Sequence, residues 1–166
     1  HELGYSLQGN AKTQEGRQHP DRDAQFRYIA RQVSRCQKRK QPTISVDTKK
    51  KELVGTYTNA GREWHPHGEP VPVRVHDFID DHLGKVIPYG VYDVVRNEGL
   101  LLLATGSDTS ELACDAIWRW WQRQGRQHYW HASGLLVLCD CGGSNGNRQH
   151  RFKEQLHHLA CDLRRE

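Results

Sequence analysis

The chain has 166 residues, enough for one domain with a hydrophobic core and a short tail or linker. Its net charge of +4, before any of the 11 histidines protonate, is compatible with a polyanionic partner and too small to establish one. The five cysteines come without a signal peptide, and no apolar run approaches a membrane span, so we expect an intracellular protein in a reducing compartment. Because the sequence begins at His1 and contains no methionine, we expect it to be a segment of a longer protein.

The first forty residues predict a linker and then a lead-in helix. Residues 1–19 are polar and contain several glycines, as a linker does. Over residues 20–40 a helix is predicted, since Pro20 suits a first turn and basic residues collect at the far end. We interpret that basic end as a solvated helix terminus rather than a DNA contact. The predicted apolar stripe consists of Phe26, Ile29, Val33 and Cys36.

The next predicted element is a strand that ends at an acid. Residues 43–48 alternate between apolar and polar types, and Asp47 lies at the end. Lys49, Lys50 and Lys51 follow directly. Burying three lysines is too costly, so this strand end must reach solvent or a charged ligand. An exposed strand edge, which the lysines keep from pairing with other chains, explains the pattern equally well.

Residues 55–88 are the least regular part of the chain. Within them residues 71–75 alternate in valine and predict an edge strand, because Pro72 cannot donate to a sheet ladder. A zinc site is not favoured here, since the histidines and acid lack the paired spacing of zinc ligands. These residues are His65, His67, His76, Asp77 and His82.

A hairpin and a helix are predicted next. Residues 91–95 and 100–105 predict two strands joined by a turn at 96–99, with Asp93 as a buried structural partner. The segment from Asp108 to Glu111 resembles a capping box before an amphipathic helix. The tryptophans of this helix are predicted to be core rather than base-stacking residues, with Trp118 nearer the boundary. The predicted apolar face comprises Leu112, Ala116, Ile117, Trp120 and Trp121.

The segment LLVLCDCGGSNGN, residues 135–147, predicts a short strand buried on both faces, followed by a sharp turn. Asp140 lies at the carboxyl end of that strand, where open α/β sheets bind their ligands. A solvated turn is as good an explanation as a site. Ser144 or Asn145 is a candidate N-cap for a last helix from about Asn147. The apolar face predicted for that helix consists of Phe152, Leu156, Leu159, Ala160 and Leu163.

Three antiparallel strands followed by a helix, a parallel strand and a helix predict an α/β fold with a ribonuclease-H-like mixed sheet, incomplete at its C-terminus. In that architecture the first and fourth strands are neighbours, so Asp47 and Asp140 would face each other. Two adjacent carboxylates repel each other and favour a divalent cation, and Mg²⁺ or Mn²⁺ in a two-ion site supports phosphodiester displacement. The lysines at 49–51 would then contact the phosphate backbone.

Longer motifs resemble one family of bacterial insertion-sequence proteins, those with a Rhodopirellula-type transposase DDE domain. The resemblance covers nearly the whole chain. It rests on HELGYSLQGNAKT (1–13), HPDRDAQF (19–26), ISVDTKKKELVG (44–55), AGREW (60–64), PVRVHDF (72–78), GKVIPYGVYD (84–93) and CDCGGSNG (139–146).

The resemblance implies a DNA transposase whose DDE triad holds Mg²⁺ or Mn²⁺. By motif match Asp47 is the first acid and Asp140 the second. It further implies transposon-end DNA as partner, self-association in a transposition complex, no membrane, and a bacterial cytoplasmic location at the nucleoid. Residues 1–19 would be the remnant of an upstream DNA-binding region, and residues 41–166 a partial catalytic domain.

Two departures from the family pattern qualify this expectation. The third acid, a glutamate on a later helix, has no counterpart, because Glu154 and Glu166 belong to the helix before it. Cys139 and Cys141 flank Asp140 where small residues are expected, which indicates a divergent copy.

Three hypotheses therefore stand at this point. The first is a transposase catalytic core that is inactive or nearly so as this fragment. The second is a catalytically dead ribonuclease-H-like module for DNA binding or self-association. The third, which the absence of a Gly-Lys-Ser/Thr ending weakens, is a phosphate-binding enzyme that uses the loop at 142–146.

Overall fold

The structure is a computed structural model and describes residues 20–58, 64–76, 78–79, 82–140 and 142–164. The predicted linker over residues 1–19 lies outside the described residues. The predicted lead-in helix is confirmed as α1. In chain order the elements are α1 (Arg22–Lys38), β1 (Thr43–Thr48), β2 (Glu52–Leu53), β3 (Lys85–Asp93), β4 (Glu98–Ala104), α2 (Ser110–Trp120), a π-helical turn (Trp121–Gly125), α3 (Arg126–His128), β5 (Leu136–Leu138), a 3₁₀ turn (Gly143–Asn145) and α4 (His150–Leu163).

The strands form one mixed sheet. β3 pairs antiparallel with β1 on one side and with β4 on the other, while β1 pairs parallel with β5. The first strand is therefore the neighbour of the strand that precedes Asp140, as the ribonuclease-H-like order requires. The predicted fold class is confirmed.

The three lysines lie at an irregularity of the first strand. Thr48 pairs with Tyr89 of β3, and Glu52 pairs with Val86, so three residues on one strand face two on the other. This arrangement is a β-bulge, which bends a strand and is common next to active sites. The segments β1 and β2 are thus one bulged strand.

The core lies between one face of the sheet and the helices α2 and α4. Alternation along β1 and β3 turns Ile44, Val46, Tyr89 and Val91 towards these helices, because successive side chains of a strand point to opposite faces. On the other face Leu101 and Leu103 are exposed. α1 contacts β1 and β5 but contains no buried residue.

The tryptophan predictions are confirmed for Trp120 and Trp118, whereas Trp121, also predicted to be core, is half-buried and packs against the core. Trp120 is fully buried, whereas Trp118 is 38% exposed. After α2 the helix passes through the π turn, where Gly125 lies against both tryptophan rings. A Cβ on Gly125 would lie 2.6 Å from the Trp121 ring, so only glycine fits there.

Several predicted boundaries are wrong. The hairpin strand begins at Lys85 rather than at residue 91, and its turn covers residues 94–97. The predicted edge strand at 71–75 is not a strand, since this segment is exposed coil. Asp93, by contrast, is 2% exposed and accepts a hydrogen bond from the Tyr129 hydroxyl at 2.8 Å, in the structural role predicted for it.

The predicted helix starts also need correction. Thr109 rather than Asp108 caps α2, accepting from the Leu112 N–H at 3.3 Å. α4 begins at His150 with Gln149 at its N-cap position, while Ser144 and Asn145 lie buried in the 3₁₀ turn. β5 is half-buried rather than buried on both faces, and Ala160 is exposed rather than part of the apolar face.

No helix of the described ranges combines the length and the apolar character that crossing a bilayer requires.

Burial makes one thiol unreactive. Cys114 lies in the core, and desolvation raises the pKa of its thiol to about 11. At pH 8 this thiol should hold roughly 100-fold less thiolate than an unshifted cysteine, since each pKa unit is tenfold. We expect iodoacetamide to label Cys36 and Cys161 well before Cys114, as measured by peptide mass spectrometry. Equal labelling rates in the folded chain would contradict the buried placement.

Candidate active site

The pairing of β1 with β5 brings the two predicted acids to the same sheet edge. Ile44 pairs with Val137 and Ser45 with Leu138. Continuing this register by two residues sets Asp140 opposite Asp47, and neighbouring strands lie about 4.8 Å apart. Both residues are exposed. Asp47 alternates with the buried Val46, so its side chain lies on the face opposite the α2 and α4 layer, and the continued register would put Asp140 on that face as well.

Each carboxylate is oriented by the backbone that follows it. Oδ1 of Asp47 accepts from the Thr48 N–H at 2.8 Å, and Oδ1 of Asp140 accepts from the Gly142 N–H at 2.8 Å. These bonds use one oxygen of each side chain and fix its direction. The second oxygen of each is available for a ligand.

The lysines predicted to bind DNA follow Asp47 directly. Lys49, Lys50 and Lys51 are all exposed and occupy the β-bulge. Lys49 forms an ion pair with Glu52, whereas no ion pair is recorded for the other two within the described part of the chain. The side chains of Lys50 and Lys51 are therefore the better placed to contact an anion beside the acids.

A buried polar network supports the loop after Asp140. The Tyr89 hydroxyl donates to Oδ1 of Asn145 at 2.7 Å. Burial raises the pKa of Tyr89, so the phenol stays protonated and remains a donor. The Ser110 hydroxyl lies 3.2 Å from the carbonyl oxygen of Ser144, and the Gln149 amide donates to the carbonyl oxygen of Gly143 at 2.8 Å. β3, α2 and α4 thus all hold this loop.

Asp108 contributes to the same support. Its Oδ2 accepts from the Ser144 N–H at 3.4 Å. Gly143 has a φ of +51°, and a Cβ there would lie 2.8 Å from that oxygen, so the loop needs glycine at this position. The sequence interpretation assigned Asp108 to a helix cap and missed Tyr89 altogether. The only local sign of these contacts in the sequence is the Gly-Gly-Ser-Asn-Gly composition of the loop, which indicates a tight turn.

The donor set suits a hard divalent ion. Mg²⁺ accepts one or two carboxylates, keeps several waters and takes substrate phosphate oxygens for the rest. Asp47 and Asp140 fit this requirement, and either Mg²⁺ or Mn²⁺ could use them. Among the described residues no group of three or more histidine, cysteine or acidic side chains could hold a metal. That finding extends to His65, His67, His76 and His82, whereas Asp77 lies outside the described residues.

Comparison with known families agrees with the geometry. The sequence model of the Rhodopirellula transposase DDE domain matches residues 1–165. The chain belongs to this transposase family. Comparison of this DDE domain with curated proteins gives no match.

One solved structure supports the fold. The DDE domain is similar to a Mos1 transposase paired-end complex with left transposon end, with a TM-score of 0.50, 14% identity and 95% of this chain covered. A pre-cleavage Mos1 transpososome matches with a TM-score of 0.43, 14% identity and 96% of this chain covered. In both cases the match covers 46% of the Mos1 chain, so the DDE domain described here corresponds to about half of that protein.

Proposed function

We propose that this chain is part of the catalytic core of a DNA transposase that cleaves and transfers phosphodiester bonds at transposon ends. The observation that supports the proposal is the parallel pairing of β1 with β5, because its register, continued two residues past the ladder, would bring the exposed residues Asp47 and Asp140 opposite each other. Family membership supports it independently. Transposon-end DNA is the proposed partner. Self-association in a transposition complex and a location at the bacterial nucleoid stay predictions.

In this proposal residues of this chain bind the metal ions and the DNA backbone and hold the acids in their orientation. Asp47 and Asp140 hold Mg²⁺ or Mn²⁺ through their free carboxylate oxygens. When bound, two such ions activate an attacking hydroxyl and stabilise the leaving oxygen of an in-line displacement. Lys50 and Lys51, with Lys49, contact the phosphate backbone beside the acids and supply sequence-independent affinity. The Gly142 N–H of the loop at 142–146 donates to the Asp140 carboxylate and orients it.

We further propose that this chain alone cleaves DNA little or not at all. Two carboxylates in register satisfy only part of a two-ion site, and the described residues supply no third ligand to the pair. We therefore expect this chain to bind metal ions without cleaving DNA.

The test is a titration of Mn²⁺ into the 166-residue chain, with free Mn²⁺ detected by electron paramagnetic resonance. We expect saturable binding in this titration, together with little or no nicking of labelled transposon-end DNA under the same conditions. A chain that binds no Mn²⁺ is a scaffold without metal chemistry, as the alternative of a dead binding module predicts. Robust nicking would refute the proposal that a third ligand is missing.

A further inference from the structure

α1 carries a row of cations on one side. We define the basic face of α1 as Arg27, Arg31, Arg35, Lys38 and Arg39, all exposed. At 100° per residue these side chains fall within about a third of the helix circumference, and they extend about 18 Å along its axis. The small residues Ala30 and Ser34 lie between them, and with four of the cations they line a shallow groove.

The cations of this face outnumber the single acid of α1, Asp23 in its first turn. On α2, Arg119 pairs with Asp115 at 2.7 Å, and on α4, Arg151 pairs with Glu111 at 2.6 Å. For the basic face of α1 no ion pair is recorded within the described ranges. Like charges four residues apart destabilise a helix by about 0.2–0.5 kcal/mol per pair. Arg27, Arg31 and Arg35 form two such pairs in succession.

α1 also receives little support from the core. None of its 17 residues is buried. Most of the stability of a protein helix comes from tertiary packing, of which α1 has little, and repulsion between its cations weakens it further. A polyanion that neutralises the row would remove the repulsion and stabilise the helix. The cations therefore favour a bound ligand over a merely solvated surface.

We propose that the basic face of α1 binds the phosphate backbone of double-stranded DNA, as a second contact separate from the acids. That DNA is the partner rests on the proposed function. Arginines four residues apart rise about 6 Å per step along α1, and a duplex carries one phosphate charge per 1.7 Å of its axis, so each cation can find a phosphate. Guanidinium groups bind phosphate in bidentate geometry.

Because of its position in the fold, α1 would contact DNA at a place separate from Lys49, Lys50 and Lys51. Its C-terminal end is held to the loop before β5, where Oε1 of Gln41 accepts from the N–H groups of Ser133 and Gly134, both at 2.8 Å. Gln41 lies two residues before β1, and Asp47 lies four residues beyond the start of β1 at Thr43, about 13 Å along the strand. A duplex that reaches both places would be held on both sides of the cleavage point.

An anionic membrane is the less suitable occupant. A helix on a membrane inserts its apolar side, with cations at the flanks. Val33 and Cys36 on the apolar side of α1 are half-buried, and α1 contacts the sheet, so the sheet blocks that side along its C-terminal half. The cations are exposed and suit an external polyanion, and Arg35 and Arg39 also border a groove that residues 133–136 line.

The test uses the 166-residue chain, a fluorescent 30-base-pair duplex and EDTA, so that metal plays no part. In R27Q/R31Q/R35Q we expect the slope of log K against log salt to become shallower by about 2.7, and affinity near 0.1 M salt to fall by roughly tenfold or more. R27K/R31K/R35K keeps the charge and should keep the slope. R119Q/R123Q/R126Q removes the same charge from another exposed helical surface and should change the slope far less.

Equal losses in the α1 triple variant and its matched control would show an effect of net charge and overturn the inference. So would unchanged DNA binding in the α1 triple, or a loss of binding to phosphatidylserine vesicles without a loss of duplex binding. Duplex binding through α1 in a chain that never binds Mn²⁺ would uphold this inference and remove the proposed function. Mn²⁺ binding together with unchanged duplex binding in R27Q/R31Q/R35Q would uphold the proposed function and overturn this inference.

Discussion

Replacing Asp140 with asparagine should lower the Mn²⁺ affinity of the chain by roughly 100-fold or more. Outer-shell partners of a metal already cost 10–100-fold when they are removed, and a direct carboxylate ligand should cost at least as much. Asparagine keeps the size of the side chain and an oxygen that can accept from the Gly142 N–H, so the fold should persist. Asp47→Asn should have a similar effect. The measurement is the Mn²⁺ titration followed by electron paramagnetic resonance.

Two further variants make this prediction specific. Asp115→Asn removes a carboxylate that pairs with Arg119 far from the site, and it should leave Mn²⁺ affinity unchanged. The double variant D47N/D140N should bind Mn²⁺ at most a few-fold more weakly than either single variant. Ligands of one shared ion act as a unit, so their losses do not add. Independent, additive losses would mean that the two acids bind separate ions, and the shared site would be wrong.

The strand order was predictable because it depends on local patterns. Alternation along residues 43–48 and the apolar run before Asp140 each indicate a strand without reference to the rest of the chain. Once three strands, a helix and a further strand were placed, the rules for connecting strands in one sheet left few topologies. The neighbouring positions of β1 and β5 follow from that order, and the proximity of Asp47 and Asp140 stays a prediction built on it.

The failures share a different cause, since each depends on a distant partner. β3 runs through Pro88 and Gly90, which local propensity excludes from a strand, because pairing with both β1 and β4 stabilises it. Asp108 and Thr109 are both good capping residues by type. The carboxylate of Asp108 bonds instead to the Ser144 N–H, 36 residues away, and Thr109 is left as the cap.

The valine alternation at 71–75 is the opposite case, in which the local pattern of a strand is present but the segment is not a strand. Val71, Val73 and Val75 have the pattern of a strand, yet all three are exposed, and no strand among the described residues pairs with them. Alternation describes a segment that can bury one face, but the burial itself needs a partner strand. The sequence contains no information on that partner at this point.

Replacing Asn145 with alanine should destabilise the fold by about 2 kcal/mol and weaken Mn²⁺ binding about tenfold. Asn145 is 1% exposed, and its Oδ1 accepts from the Tyr89 hydroxyl. Without it that hydroxyl is buried and lacks a partner, which costs about 1–3 kcal/mol. The loss in metal affinity follows because the loop that orients Asp140 loosens, and supporting residues of a metal site typically matter by 10–100-fold. Urea unfolding and the Mn²⁺ titration measure the two effects.

Ser144 supplies the matched control. It is buried beside Asn145, but its Oγ has no hydrogen-bond partner among the described atoms. Ser144→Ala should therefore change both stability and metal affinity little. Tyr89→Phe combined with Asn145→Ala should be less destabilising than the sum of the two single changes, by about 1 kcal/mol, because the double variant leaves no orphaned hydroxyl. If Asn145→Ala lowered stability but left Mn²⁺ affinity intact, the network would support the fold alone, and Asp140 would be held by its own turn to Gly142.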